Sequence, residues 1–111
     1  MIYVTAADRA EAERLGRSAV EAGLAACANI LPGMTSIYRW QGGVEQAEEA
    51  VLILKTRRDL VEPLTDHLKA GHGYAVPCVV ALPILGGNAE YLDWIAAETA
   101  PGGGIVLPPG S

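Results

Sequence analysis

Few residues in this chain have the chemistry to hold a transition-metal ion: His72, Cys27, Cys78, and a second imidazole at His67. Neutral imidazole and thiolate suit copper or zinc, but tight divalent binding asks for three or four such ligands. No HxH, HExxH or CxxC spacing gathers them along the chain. His72 follows a helix end and is expected to be partly exposed, which makes it the best single metal ligand. The other reading is that His72 hydrogen-bonds a backbone carbonyl and shapes its loop. His67 reads as a plain surface residue on the outer part of the same helix. The two cysteines read as buried free thiols or as parts of a Cys27–Cys78–His72 cluster formed between subunits. Ser18, Ser36 and the threonines sit in no recognisable triad, and no glycine-rich loop opens a helix as a phosphate cradle would. No enzyme and no obligatory cofactor are expected, and at most a weakly held Cu(II) or other divalent ion. Cu(II) tops the affinity order for a given ligand set.

A second group combines three aromatics with one cation: Tyr38, Trp40, Lys55 and Tyr74. Tyr and Trp on projecting strands serve as interface anchors. A lysine inside an apolar strand must pair with a carboxylate or line a cleft. Glu45, Glu48 and Glu49 are its candidate partners, or else a solvated acidic arm. The group therefore marks an intersubunit interface or a small-ligand cleft.

These residues need a scaffold, and the chain has the size for one core. Its 111 residues read as a single domain over 1–111, with a core of about 1–99 and a tail over 100–111. The net charge of −5 argues against nucleic acid as a partner, since a basic face would have to supply the affinity. No apolar run approaches the ~20 residues that cross a bilayer, so no membrane partner is expected. Two cysteines make no disulfide framework and the N-terminus shows no basic leader, so a reducing cytoplasm is the expected location. With no Phe and 13 Gly, the core is expected to be one of small, closely packed aliphatics.

The pattern predicts a strand over Met1–Thr5 and a helix capped by Asp8 with Glu11 three residues on, ending at Gly23. Ala25–Leu31 and Met34–Trp40 read as extended, joined through a bulge or break at Pro32-Gly33. Gln41-Gly42-Gly43 reads as a hairpin turn, and Val44–Thr56 as the long return arm. Glu45–Ala50 could pass for helix, but the turn and the long partner arm favour a strand. A second helix starts near Asp59, with Glu62 three residues on and Pro63 in its first turn, and ends at Gly71. Cys78–Leu82 is a strand between prolines, and Asn88 caps a helix over Ala89–Glu98. Ile105-Val106-Leu107 reads as a short edge strand in the tail.

The order β-α-β-β-α-β plus a last helix is an α+β, ferredoxin-like arrangement, one antiparallel sheet with helices on one face. Its strand order is four-one-three-two, which puts Cys27 and Cys78 at opposite edges, about 14 Å apart at ~4.8 Å per strand. That exceeds the ~7 Å reach of a disulfide. The hairpin arms are longer than such a sheet requires, and an arm projecting past its sheet is an aggregation hazard unless another chain covers it.

Several stretches resemble the CutA family. Leu24–Gly33 resembles its second strand, Ser36-Ile37-Tyr38-Arg39-Trp40-Gln41-Gly42 its hairpin tip, and Ile53-Leu54-Lys55-Thr56 the middle of its third strand. Val79–Ile84 and Asn88–Ile95, ending Tyr91-Leu92-Asp93-Trp94-Ile95, resemble its fourth strand and last helix. The resemblance implies a PII-like homotrimer whose hairpins wrap neighbouring subunits, with a role in divalent-cation tolerance, copper included. It also leaves room for a PII-like sensor holding a small anionic metabolite between subunits. The chain departs from the family where His-Pro-Tyr-Glu-Val-Pro-Glu is usual. Here the stretch is His72-Gly73-Tyr74-Ala75-Val76-Pro77-Cys78, without either carboxylate, and Val4 replaces a first-strand cysteine that some members carry.

Overall fold

The computed structural model describes residues 1–99. The elements are β1 (Ile2–Ala6), α1 (Arg9–Glu21), β2 (Cys27–Trp40), β3 (Gly43–Lys55), a 3-10 turn over Arg58–Leu60, α2 (Val61–Gly71), β4 (Val79–Ala81) and α3 (Ala89–Glu98). The sheet is antiparallel in the order β2-β3-β1-β4, the expected ferredoxin-like arrangement. The predicted tail strand lies outside the described residues. No helix among the described residues is long and apolar enough to cross a membrane.

Side chains alternate across each strand, so each face of the sheet has its own composition. Ile2, Val4 and Ala6 of β1, with Ala50, Leu52 and Leu54 of β3, turn to the helices and are fully buried. Ala12, Leu15 and Ala19 of α1 and Leu64 and Leu68 of α2 close on them. The small residues let α1 approach the sheet closely. A methyl group added at Gly16 would stand 2.9 Å from the Cβ of Ala28 and 3.1 Å from a Leu52 methyl.

Asp8 caps α1 as predicted, its Oδ1 accepting the Glu11 N–H at 2.8 Å. Glu11 reaches back to the Ala7 N–H at 2.9 Å, one residue earlier than a standard capping box would place it. Asn88 caps α3 as predicted, accepting the Glu90 N–H. The start of α2 differs from expectation. Asp59 caps nothing: it sits in the 3-10 turn with its carboxylate 3.3 Å from Arg57 Nε, and Leu60 stands at the N-cap position of α2 without a side-chain cap. The fourth strand is also shorter than predicted, which leaves Cys78 just outside it.

β2 is one strand, not two, with a register shift between Leu31 and Met34 where Pro32-Gly33 was expected to bulge it. Glu45–Ala50 is strand, as the hairpin argument requires. Gln41 and Gly42, with φ of 49° and 83°, close a two-residue turn between paired Trp40 and Gly43. Positive φ at both central residues gives a turn twist that matches the strands. Beyond the bulge neither face of the hairpin meets a helix, and the molecule extends to 50 Å along its long axis.

The close approach at Gly16 generates a prediction. Ala in place of Gly gains up to ~1 kcal/mol of helix propensity. Ala28 Cβ is fixed to a strand and cannot swing aside, and overpacking costs about 1–3 kcal/mol. Gly16→Ala should therefore lower the urea midpoint, and an unchanged or raised midpoint would show that the helix can lift off the sheet without penalty.

Candidate functional site

The His72 imidazole is fully enclosed, its side chain having no exposed surface. The partial exposure expected from the sequence is corrected here. Nε2 lies 2.7 Å from the Thr5 carbonyl, which can only accept, so Nε2 carries the proton. Nδ1 in turn accepts the Tyr74 N–H at 3.0 Å. Both ring nitrogens are committed within the protomer, and the imidazole staples the 72–78 loop to the end of β1. Glu11 completes the staple: Oε2 accepts the Gly73 N–H at 3.0 Å, and Oε1 lies 3.9 Å from His72 Nδ1. A proline at 73, usual in the resembling family stretch, has no N–H to give.

With its loop fixed, Tyr74 swings over the face of the sheet opposite the helices and donates to Glu49 Oε2 at 2.8 Å. Met34, Ser36, Tyr38 and Trp40 alternate onto that face of β2, across from Glu49 on β3. Between this face of the hairpin and the loop opens a cavity of about 650 Å³, lined by Tyr38, Trp40, Glu49, Tyr74, Val76 and Cys78 among others. Burial, followed by the hydrogen bond and charge of Glu49, holds the Tyr74 phenol well above the usual tyrosine range.

Three of the four residues expected at an interface or cleft therefore converge. Lys55 does not join them. Its Nζ donates to Asn29 Oδ1 at 2.6 Å and lies 5.9 Å from the centre of the Tyr91 ring, far along the ladder. The predicted carboxylate partner is corrected to an amide oxygen and an aromatic face. Cys27 belongs to this second group, with Sγ 3.6 Å from Tyr91 Oη and 3.7 Å from Asn29 Oδ1. Asn29 and Tyr91 were not singled out in the sequence. They enter only within the family-like stretches Leu24–Gly33 and Asn88–Ile95, and no local signal joins Tyr91 to β2. The thiol hydrogen bond, followed by burial, raises the Tyr91 phenol too, with Lys55 opposing.

Cys27, on β2, lies at the opposite edge of the sheet from His72 and Cys78, which both bond the Thr5 backbone, His72 through Nε2 and Cys78 through its carbonyl. Among the described residues no three His, Cys, Asp or Glu side chains are placed to share an ion. The donor set of one chain thus does not fit a divalent-metal centre. His67 was also misread as plain surface: its Nε2 lies 2.8 Å from Ser18 Oγ and ties α2 to α1.

The sequence model of the CutA1 divalent ion tolerance protein family matches residues 1–98. The chain belongs to the CutA1 family. It is 46% identical over 99 residues to the divalent-cation tolerance protein CutA of Thermus thermophilus, covering 89% of this chain and 96% of that one. It is 48% identical over 99 residues to the chloroplastic protein CutA of Arabidopsis thaliana, covering 89% of this chain and 54% of that protein. The chain thus spans about half the length of such plant relatives. The solved divalent cation tolerance protein of T. thermophilus superposes with a TM-score of 0.87 at 45% identity, covering 89% and 96% of the two chains. The structure described as the periplasmic CutA of Archaeoglobus fulgidus superposes with a TM-score of 0.86 at 42% identity, covering 89% and 96%. These findings correct the expected cytoplasmic location. Relatives this similar are named for the chloroplast and the periplasm. Two unpaired thiols in a CutA1 chain say little about where it resides.

Two outcomes follow from the site. His72→Ala removes the partner of a part-buried carbonyl and releases the Tyr74 N–H, and should cost about 1–3 kcal/mol of stability in denaturant unfolding. A variant as stable as wild type would put the loop under some other control. Tyr74 gives the pH dependence. In the unfolded chain its phenol ionises near pH ~10, while the folded one stays protonated. Its stabilising contribution is therefore complete below pH ~10 and falls as pH rises above it. Tyr74→Phe should flatten the alkaline limb of the stability–pH curve; a limb as steep as wild type would count against the assignment.

Proposed function

We propose that this CutA1-family chain acts in divalent-cation tolerance as a non-enzymatic homotrimer, and that any metal it binds directly is held weakly. Family membership supports the tolerance role. The observation that carries the assembly is the overhanging hairpin. Leu31, at the foot of the overhang on the face away from the helices, remains 56% exposed, and Val44 and Trp40 on its arms 67% and 45%. Among the described residues β2 ends the sheet on one side and β4 on the other, which leaves two strand edges along with that apolar surface. Three copies with wrapped hairpins are what the family resemblance implies, and burying these side chains removes the hazard.

Weak metal binding follows from the donors. His72 is held by two hydrogen bonds, so Cys27 and Cys78 are the remaining soft ligands, and they must come from different protomers to meet. The sensor reading draws support from the cavity between the hairpin and the 72–78 loop. Within one protomer its charged lining is Glu49, so an anionic metabolite would need a cation from a neighbouring copy.

Light scattering at low micromolar concentration should give three times the 11.6 kDa chain mass. The double variant Leu31→Glu, Val44→Glu should shift it toward one. A wild-type monomer would sink the assembly. Calorimetry with Cu(II) or Zn(II) should give dissociation constants on the order of 10 µM or weaker, moved by Cys78→Ser more than by His72→Ala. Submicromolar binding that is lost in His72→Ala would overturn the metal assignment.

A further inference from the structure

A second cavity, of about 740 Å³, lies between the start of α2, the segment after β4, and α3. No residue of β2 or β3 lines it, so it stands apart from the exposed face of the hairpin. Its walls are largely apolar, built by Val61, Leu82, Ile84, Leu92 and Ile95. Leu82 and Ile84 keep 42% and 40% of their surface exposed. The charged side chains in the lining are Arg57 and Arg58, and no carboxylate lines it among the described residues. In a chain of net charge −5, a cavity whose charged side chains are all cationic runs against the composition.

The two guanidinium groups are incompletely matched. Asp59 Oδ1 stands 3.3 Å from Arg57 Nε but out of line for a hydrogen bond. That nitrogen is shut off from water and has no acceptor among the described residues. A buried N–H without an acceptor costs free energy, and a partner restores it. Arg58 is exposed and makes no ion pair among those residues. No side chain caps the 3-10 turn or α2, and Val61 at the start of α2 lines the cavity. An anion is favoured at such a helix end. A carboxylate taken side-on by a guanidinium accepts from Nε and one Nη together, which supplies the acceptor that Arg57 lacks. A polyanion would set its further charges against apolar walls, and a neutral ligand would leave both cations as they are.

We propose that this cavity binds a small amphipathic carboxylate from solution, with its head on Arg57 and Arg58 and its hydrocarbon against Leu82, Ile84 and Leu92. Its volume falls in the range of small-molecule sites. The site does not rest on the metal reading, since no His, Cys, Asp or Glu among the described residues lines it.

The test is calorimetry on the assembled full-length chain with octanoate, 1-octanol and inorganic phosphate at one salt concentration. Octanoate should bind saturably, with octanol and phosphate each at least about tenfold weaker, because octanol lacks the charge-assisted pair and phosphate the apolar burial. The double variant Arg57→Gln, Arg58→Gln should weaken octanoate at least about tenfold and leave octanol unchanged, with the mass by light scattering that of the parent. Arg58→Gln alone, at an exposed side chain whose loss leaves the fold intact, should weaken octanoate at least about threefold. Ile84→Asp, on the exposed wall, should weaken it at least about fivefold. Equal affinity for octanol would reduce the site to apolar burial, and equal affinity for phosphate to surface charge; either overturns the proposal. So would octanoate binding untouched by Arg58→Gln or by Ile84→Asp. No saturable heat from octanoate would mean that a neighbouring copy or residues 100–111 fill the cavity, and the proposal would fall.

Discussion

The constraint on which the molecule depends is the antiparallel ladder between β2 and β3, running from the Cys27–Lys55 pair to the Trp40–Gly43 pair. Backbone pairing holds the two arms together whether or not anything covers their faces. Near β1 the ladder is half of a helix-covered sheet, and Leu52 and Leu54 are sealed in the core. Past the Leu31–Met34 register shift the same ladder continues with no helix beneath it. One element thus builds both the stable centre and the exposed apolar surface of the overhang. It also carries the two polar groups at its opposite ends, the thiol–amide–lysine group beside α3 and the aromatic cavity beside the 72–78 loop.

That loop is the second structural decision. Short and without regular structure, it could not place Tyr74 over the sheet unaided. A buried neutral imidazole and the Glu11 carboxylate satisfy its backbone N–H groups and tie it to β1 and α1. Buried polar groups that are fully paired specify one geometry, because every alternative leaves a donor or acceptor unsatisfied. The same pairing removes His72 from the set of available ligands. Where the family stretch has proline and carboxylates, this chain has Gly73, Ala75 and Cys78, and the Gly73 N–H becomes part of the fastening. The cavity beside it then has Glu49 as its charged lining, a different chemistry from a cluster of metal donors.

The local elements were legible in the sequence because their causes are local. Asp8 and Asn88 cap the helices they precede. The Gln41-Gly42 turn sets the hairpin register, and strict alternation separates the core face of β1 and β3 from the other face. Misreadings arose where a neighbour from elsewhere intervened. Asp59 looked like a cap until Arg57 took its carboxylate, and His67 looked like plain surface until Ser18 of the other helix reached it. Sequence order and periodicity determined the topology, the overlong arms and the aromatics on one side of the hairpin. Only the tertiary structure decided which polar atoms would be free. A hydrogen bond to Thr5 or Glu11 depends on where the folded backbone brings residues more than sixty positions apart, so His72 became a fastening, Lys55 left the aromatic group and Glu49 remained facing an open cavity.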